Sequence, residues 1–123
     1  MFEVTIEETF AAGHALRNYR GKCENVHGHN YRCQVMLEGA ELDHIGLLVD
    51  FVELKRVVHG VLDQMDHQWL NEFPPFDVLN PSAENMARYI YEQVVEGLKV
   101  REGVRVGLVR LWETDTAHAT YRP

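Results

Sequence analysis

Three histidines and one cysteine near the start of the chain form the densest group of side chains that could do chemistry. They lie in the segments Phe10-Ala-Ala-Gly-His14 and Cys23-Glu-Asn-Val-His27-Gly-His29. If a strand begins near residue 27, its period of two places His27 and His29 on one face. His14, at the end of a neighbouring strand, can then supply a third imidazole. Three histidine ligands with one open position are typical of a catalytic zinc site, although imidazoles also suit nickel or iron.

Cys23 has two interpretations. A cysteine is more often a small buried hydrophobic residue than a nucleophile. Close to Lys22 and a metal ion, however, the pKa of Cys23 would fall and a thiolate would form near neutral pH. If Cys23 instead binds zinc permanently, the site has four protein ligands and is structural. A zinc protein that only assembles is therefore the non-enzymatic alternative.

Other polar residues are weaker candidates. Asp66 and His67 follow a predicted helix and could transfer protons together, although such pairs are also common on exposed surfaces. Glu113 ends a predicted strand, where it is either solvated or able to hold two N–H groups of a ligand through parallel hydrogen bonds. Ser82 is a predicted helix N-cap. Cys33 lies on an alternating strand and is expected in the core.

These residues must be positioned by strands and helices that the sequence also predicts. Residues 2–6 alternate apolar with polar side chains, as a half-buried strand does. A second alternation runs through Tyr31, Cys33, Val35 and Leu37, with Met36 as the exception. A third strand covers residues 104–112, and we expect Val104, Val106, Leu108, Arg110 and Trp112 on one face and Arg105, Gly107, Val109 and Leu111 on the other. A turn at Asp115 leads to a short fourth strand at residues 117–121.

Two amphipathic helices lie between the second and third strands. Asp50 is the predicted N-cap of the first, and Glu53 three residues later completes a capping-box pattern. Its apolar residues, spaced by threes and fours, are Phe51, Leu54, Val58, Val61, Leu62 and Met65. The second helix begins after Ser82 and buries Met86, Ile90, Val94 and Leu98. The order ββααββ predicts an α+β fold, a four-stranded antiparallel sheet with two helices on one face, in a single domain over residues 1–123.

Composition restricts the function further. The net charge of −7 argues against broad nucleic-acid binding. No apolar run is long enough to span a bilayer, and the acidic N-terminus does not resemble a signal peptide, so we expect a cytoplasmic protein without a membrane partner. Two cysteines do not form a disulfide framework.

Sheet edges without obvious cover predict an oligomer. Arg17, Arg20 and Lys22 form a basic loop that is either solvated or able to receive an anionic ligand.

Taken together and in order, the motifs resemble one enzyme family. They are Phe10-x-Ala-x-His14, Cys23-x-x-x-His27-Gly28-His29, Val49-Asp50-Phe51, Asp66-His67-x-x-Leu70-Asn71, Asn80-Pro81-Ser82-x-Glu84-Asn85 and Glu113-Thr114. This set, which spans nearly the whole chain, is similar to the 6-pyruvoyl-tetrahydropterin synthase and 6-carboxytetrahydropterin synthase family. The resemblance implies the tunnelling fold, in which strands of three subunits close a barrel and two trimers form a homohexamer with active sites at subunit interfaces.

The resemblance also implies roles for the candidate residues. His14, His27 and His29 would bind zinc, Cys23 would accept a proton, and Asp66 and His67 would assist proton transfer. Glu113 would anchor the pterin ring, and we expect Ser82 and Lys22 to contact the substrate. In bacterial members similar to this chain, 7,8-dihydroneopterin triphosphate gives 6-carboxy-5,6,7,8-tetrahydropterin, acetaldehyde and triphosphate in queuosine biosynthesis. The same motifs also fit 6-pyruvoyl-tetrahydropterin synthase activity.

Glu24 is the one departure from the plain motif. A folate-pathway subgroup of the family uses a glutamate at this place, instead of the cysteine, and makes 6-hydroxymethyl-7,8-dihydropterin. A chain with both Cys23 and Glu24 is similar to members that carry out both reactions. The alternative is that Glu24 is only a solvated acid in a loop.

Overall fold

One antiparallel sheet carries two helices, as the sequence predicts. The computed structural model describes residues 1–21 and 25–123. The strands are β1 (Phe2–His14), β2 (His27–Gly39), β3 (Val104–Thr114) and β4 (Ala117–Tyr121), paired in the order β1-β2-β3-β4. Helices α1 (Phe51–Met65) and α2 (Ala83–Gly97) lie between β2 and β3, with a short 3-10 helix at Leu70–Glu72. The α+β class and the ββααββ order are confirmed.

The first two strands alternate along their whole length. Tyr31, Cys33, Val35 and Leu37 on β2 are fully buried in the core under the helices. The register runs without a break from Phe2↔Gly39 to His14↔His27, so β1 continues well beyond the predicted residues 2–6. Because the period of two persists to the end of both strands, the histidines share the face that carries the core.

The predicted alternation of β3 is wrong beyond Gly107. Met36 pairs with Leu108 but Leu37 pairs with Val106, so Gly107 is an extra residue in β3. Such a bulge reverses the faces of all later residues. Val104 and Val106 before it, and Val109 and Leu111 after it, all belong to the core. Gly107 fits there because a Cβ would lie 2.8 Å from the Met36 Cε atom.

Both helices begin where their caps predict. The Asp50 carboxylate accepts a hydrogen bond from the Val52 N–H, and the Ser82 hydroxyl accepts one from the Asn85 N–H. The capping box is wrong, however, because the Glu53 carboxylate binds the Arg56 guanidinium at 2.6 and 3.0 Å. Among the described residues, no helix combines the length and apolar composition needed to cross a bilayer.

The outer edge of β1 is partly covered by the chain itself, which corrects the expectation of uncovered edges. The His67 N–H donates to the Ala11 carbonyl at 2.6 Å, and the Gly13 N–H donates to the Gln68 carbonyl at 3.1 Å. Gly13 also forms a parallel bridge with Trp69. Residues 67–69 therefore lie along the end of β1 that carries His14, and this pairing positions the Asp66-His67 segment beside the predicted metal site.

Candidate metal centre

The three histidines meet at one end of the sheet, on its helix-facing side. His14 is the last residue of β1 and His27, the first residue of β2, is its register partner, with His29 two positions further along. Their ring centroids lie 4.5 Å (His14–His27), 5.0 Å (His14–His29) and 4.7 Å (His27–His29) apart. Two neighbouring antiparallel strands thus bring together the three imidazoles that the sequence singles out.

Backbone carbonyls orient two of the rings. The His14 Nδ1 atom lies 2.7 Å from the Pro81 carbonyl oxygen, and the His27 Nδ1 atom lies 2.7 Å from the Asn25 carbonyl oxygen. A carbonyl only accepts, so Nδ1 is the donor in each ring, and in the neutral imidazole Nε2 is then the nitrogen with the lone pair. Hydrogen bonding of the second ring nitrogen in this way is how proteins orient histidine ligands of metals.

Glu113 joins the histidines at the same point. Its Oε1 atom lies 3.1 Å from His14 Nε2 and 3.4 Å from His29 Nε2. Although these distances are short, the geometry is not that of a hydrogen bond, and within residues 1–21 and 25–123 the buried Nε2 atoms of His14 and His29 have no hydrogen-bond partner. One ligand atom from each of the four residues lies within 4.8 Å of the others. Lone pairs that converge without partners fit a metal ion between them.

Electrostatics also favour a metal at this point. Burial lowers the pKa of His29, against the opposing effect of the Glu113 carboxylate, which favours the neutral imidazole that a metal ligand requires. Contact with the His14 side chain lowers the pKa of Glu113 despite partial burial, which favours the carboxylate form. Neutral nitrogens and an ionised carboxylate are a ligand set that suits zinc.

Tyr31 packs against two of the histidine rings. The sequence did not indicate that this residue belongs to the site. Its ring centroid is 5.4 Å from that of His29 and 6.0 Å from that of His14. The side chain is fully buried, and its hydroxyl has no hydrogen-bond partner in the part of the chain that the structure describes. Burial raises the pKa of Tyr31, so it stays neutral. Its place on the core face of β2 was predictable, but its unpaired hydroxyl depends on tertiary packing.

The structure also brings Asp66 and His67 together. The Asp66 Oδ2 atom lies 2.9 Å from His67 Nδ1, while Oδ1 accepts a hydrogen bond from the Ala11 N–H at 2.9 Å. The Ala11 hydrogen bond, with His67 second, lowers the pKa of Asp66. His67 is 81% exposed and has a φ of 59°, a left-handed conformation rare for residues other than glycine. The neighbouring β1 strand fixes Asp66, and Asp66 orients the exposed imidazole.

A cavity lies between His67 and one residue of the metal group, His29. It has a volume of about 490 Å³, and its walls include both His29 and His67. Trp69 forms a further wall and packs on Gly13, where an added Cβ would lie 3.2 Å from the ring. The complete lining is Ala11, Ala12, Gly13, Gly28, His29, Asn30, His67, Gln68 and Trp69. An organic substrate of small size fits beside His29 and within reach of His67.

Two of the remaining predicted residues, Ser82 and Cys33, have structural roles. Lys22, Cys23 and Glu24 lie outside the described residues. The Ser82 hydroxyl is used as the α2 N-cap, 3.2 Å from the Asn85 nitrogen. Cys33 is in the core as predicted, and burial, followed by the Glu8 charge, raises its pKa to about 12.

Arg17 is not available as a phosphate ligand. Its guanidinium donates to the Phe76 carbonyl at 2.7 Å and to the Asn71 carbonyl at 3.1 Å. The hypothesis that Arg17 receives an anionic ligand is therefore wrong. Arg20, by contrast, is exposed.

Comparisons with known proteins agree on one family. The profile of 6-pyruvoyl tetrahydropterin synthase matches residues 3–123. A 6-carboxy-5,6,7,8-tetrahydropterin synthase of Haemophilus influenzae is 34% identical in an alignment of 145 positions that covers 99% of this chain and 99% of that protein. A dihydroneopterin monophosphate aldolase of Pyrococcus furiosus is 35% identical over 105 residues, which cover 85% of this chain and 83% of that protein. The solved 6-pyruvoyl tetrahydropterin synthase of Caenorhabditis elegans matches with a TM-score of 0.86 and 30% identity, over 100% of this chain and 97% of that one.

Proposed function

The chain belongs to the 6-pyruvoyl tetrahydropterin synthase family of enzymes that act on reduced pterins, and on that premise we propose that it is a zinc-dependent 6-carboxy-5,6,7,8-tetrahydropterin synthase. The reaction converts 7,8-dihydroneopterin triphosphate and water to 6-carboxy-5,6,7,8-tetrahydropterin, acetaldehyde and triphosphate. Similarity to the Haemophilus influenzae relative of that name, over almost the whole of both chains, favours this product. Its place would be queuosine biosynthesis in the cytoplasm, where thiols stay reduced.

The observation that carries the proposal is the convergence of His14, His27 and His29 on one point. Their lone pairs would hold zinc through three protein nitrogens, which leaves room for a fourth ligand. When bound, zinc supplies Lewis acidity to oxygens of the pterin side chain. Since the Nδ1 atoms of His14 and His27 are already committed to carbonyls, the Nε2 atoms need no reorientation to bind it.

Proton transfer falls to residues beside the metal centre. His67 Nδ1 faces the Asp66 carboxylate at 2.9 Å, which leaves Nε2 to give or take a proton at the cavity. The carboxylate accepts from Nδ1 and so holds one tautomer of the neutral imidazole. Cys23 is the proposed second proton acceptor, so that protons are removed at one end of the side chain and returned at another.

Glu113 is the proposed anchor of the pterin ring. A carboxylate can receive two parallel N–H groups from the ring, which fixes its orientation during the reaction. Glu113 Oε1 lies 3.1 Å from His14 Nε2, so a ring held by this carboxylate would lie beside the metal centre. The contact of the carboxylate with the histidines supports a second candidate role as a fourth metal ligand. Ser82, one residue after Pro81, and Lys22 are further proposed substrate contacts.

A second reaction has one specific observation in its favour. The Pyrococcus furiosus relative, which is 35% identical, is a dihydroneopterin monophosphate aldolase. Glu24 beside Cys23 fits a cleavage that yields 6-hydroxymethyl-7,8-dihydropterin, either alone or as a second activity. Formation of 6-pyruvoyl-tetrahydropterin is a third candidate reaction. Similarity to the 6-pyruvoyl tetrahydropterin synthase of C. elegans, at 30% identity, supports it.

The active form is proposed to be a homohexamer. Residues 67–69 cover only the C-terminal end of β1, and residues 2–10 pair with no second strand in the described part of the chain. An exposed strand edge readily pairs with another subunit. A barrel closed by three such sheets, stacked on a second barrel, would place each metal centre near a subunit boundary.

Product analysis tests the proposal directly. The zinc-loaded protein is incubated with 7,8-dihydroneopterin triphosphate and, separately, with the monophosphate, and products are identified by mass. We expect 6-carboxy-5,6,7,8-tetrahydropterin and acetaldehyde from the triphosphate, and neither from His29→Ala. A main product of 6-hydroxymethyl-7,8-dihydropterin would favour the second reaction. If neither substrate is consumed by the zinc-loaded hexamer, the enzyme proposal is wrong and the structural zinc alternative gains support.

A further inference from the structure

The segment that follows His14 is fastened to the loop before α2 by the side chain of Arg17. The Arg17 Nη2 atom donates to the Phe76 carbonyl at 2.7 Å and to the Asn71 carbonyl at 3.1 Å, while Nη1 donates to the Leu79 carbonyl at 3.3 Å. A planar guanidinium is suited to such a role because its donors point in fixed, diverging directions. Arg17 thus holds together carbonyls that lie eight residues apart in the chain.

Two asparagine side chains also bind the backbone of the segment that follows His14. Asn80 accepts a hydrogen bond from the Arg17 N–H at 2.9 Å and donates one to the Arg17 carbonyl at 3.2 Å. Asn71 does the same for Ala15, at 2.9 and 2.8 Å. Each side-chain amide therefore pairs with a backbone as a neighbouring strand would. We call Arg17, Asn71 and Asn80 the clasp.

The clasp ends at the carbonyl that orients a metal ligand. The Asn80 carbonyl accepts hydrogen bonds from the Ser82 N–H at 2.8 Å and from the Asn85 side chain at 2.9 Å. The next carbonyl, that of Pro81, accepts the hydrogen bond of His14 Nδ1 at 2.7 Å. His14 and its acceptor therefore lie at the two ends of one hydrogen-bonded unit.

We propose that Arg17 and Asn80 are positioning residues of the metal centre, which hold the Pro81 carbonyl on His14 Nδ1 and so keep His14 Nε2 directed at the metal. This inference rests on the proposed metal-binding function. Arg17 belongs neither to the metal group nor to the lining of the cavity, so its effect would pass through the loop at residues 71–81.

The clasp affects metal binding because His14 is buried. His14 is completely buried, so water cannot replace the Pro81 carbonyl if the loop shifts. Without that acceptor, the ring either leaves a buried N–H unsatisfied or moves its proton to Nε2, the atom that must bind the metal. Both consequences weaken metal binding. Loss of partners that orient histidine ligands typically lowers metal affinity about 10- to 100-fold.

The test compares zinc affinity in three folded variants. Arg17→Met and Asn80→Ala each remove one residue of the clasp. Arg88→Met is the matched control because the exposed Arg88 guanidinium binds Glu92 at 3.0 Å and lies over the Tyr121 ring, outside the metal group. Zinc dissociation constants come from competition with a chromophoric chelator, and the electronic spectrum of the cobalt-substituted protein reports ligand geometry. We expect zinc affinity to fall about 10- to 100-fold in both clasp variants, with an altered cobalt spectrum, and to be unchanged in Arg88→Met.

A purely structural role would give a different pattern. If Arg17→Met and Asn80→Ala lower the melting temperature of the metal-free protein but bind zinc as tightly as the unaltered chain, the inference is wrong. Arg17→Lys keeps the charge but not the planar fork, and it decides the question if Arg17→Met fails to fold. Failure of the unaltered chain to bind zinc would instead refute the proposed function, and the inference with it.

Discussion

Nε2 of His14 lies 3.1 Å from Oε1 of Glu113, although β1 and β3 are separated in the sheet by β2. The approach is possible because Glu113 interrupts the β3–β4 register between Trp112 and Thr114. An irregularity of this kind redirects a side chain. Glu113 is thereby the only residue of the described metal group that comes from neither β1 nor β2.

Glu113→Gln separates the two roles of this carboxylate. The account predicts that zinc content is retained, because three histidines remain, and that kcat/KM falls about 10- to 100-fold, as expected for loss of a charged hydrogen bond of about 1.5–3 kcal/mol. Elemental analysis and steady-state kinetics measure both quantities. Glu92→Gln, on the exposed face of α2, is the control. Loss of zinc from Glu113→Gln would make Glu113 a metal ligand and not the pterin anchor.

Cys23 and Glu24 are each expected to support a different one of the two proposed reactions. Unperturbed thiols and carboxyls differ widely in pKa, about 8.5 against about 4.3, so they favour different proton abstractions. Cys23→Ala should lose 6-carboxy-5,6,7,8-tetrahydropterin while some 6-hydroxymethyl-7,8-dihydropterin remains, and Glu24→Ala should do the reverse. Both yields are measured by mass spectrometry. Unchanged yields in Glu24→Ala would make Glu24 a bystander, and loss of every product in Cys23→Ala would mean that the thiol serves both routes.

Only one of the two cysteines should react with thiol reagents in the folded protein. Cys33 is fully buried, and its pKa is raised to about 12, so it remains a protonated, inaccessible thiol at pH 7. Alkylation with iodoacetamide followed by peptide mass analysis should label Cys33 only after unfolding. Cys33→Ser is the control that assigns the remaining reactivity to Cys23. Rapid labelling of Cys33 in the native protein would contradict the buried position of β2.

Asp66 should make the fold sensitive to acid. Its pKa is lowered in the folded state, so the Asp66 carboxylate stabilises the fold above its unfolded pKa of 3.8. This contribution is lost as the pH falls through the lower, folded pKa. Asp66→Asn should therefore show a smaller loss of unfolding free energy between pH 7 and pH 3 than the unaltered chain, in urea titrations. Asp63→Asn, exposed on α1, is the control. Equal losses in Asp66→Asn and the unaltered chain would contradict the Ala11 and His67 contacts.

The parts of the fold that depend on local chemistry were predictable from the sequence. Asp50 and Ser82 cap the two helices as expected, and the period of two on β2 places His27 and His29 together. The faces of β3 were not predictable, because the bulge at Gly107 accommodates Met36 from the neighbouring strand. Arg17 was misinterpreted for a similar reason, since its partners lie more than fifty residues away in the chain.

The contact between Glu113 and His14 could not be foreseen either. A carboxylate at a strand end looks the same in sequence whether it faces solvent or a metal, and only the β3–β4 irregularity decides. The Asp66-His67 pair was visible in the sequence, but its pairing with the edge of β1 at Ala11 was not. In both cases a long-range backbone pairing sets the direction of the side chain.

Zinc content of the unaltered chain and of His29→Ala tests whether the three histidines form a metal site. We expect close to one zinc per chain in the purified protein by elemental analysis, and an empty site with no turnover in His29→Ala, because two imidazoles hold zinc poorly. His44→Ala, which lies outside the metal group, is the control and should keep its zinc. Full zinc occupancy in His29→Ala, or an unaltered chain that is fully active without metal, would contradict the account.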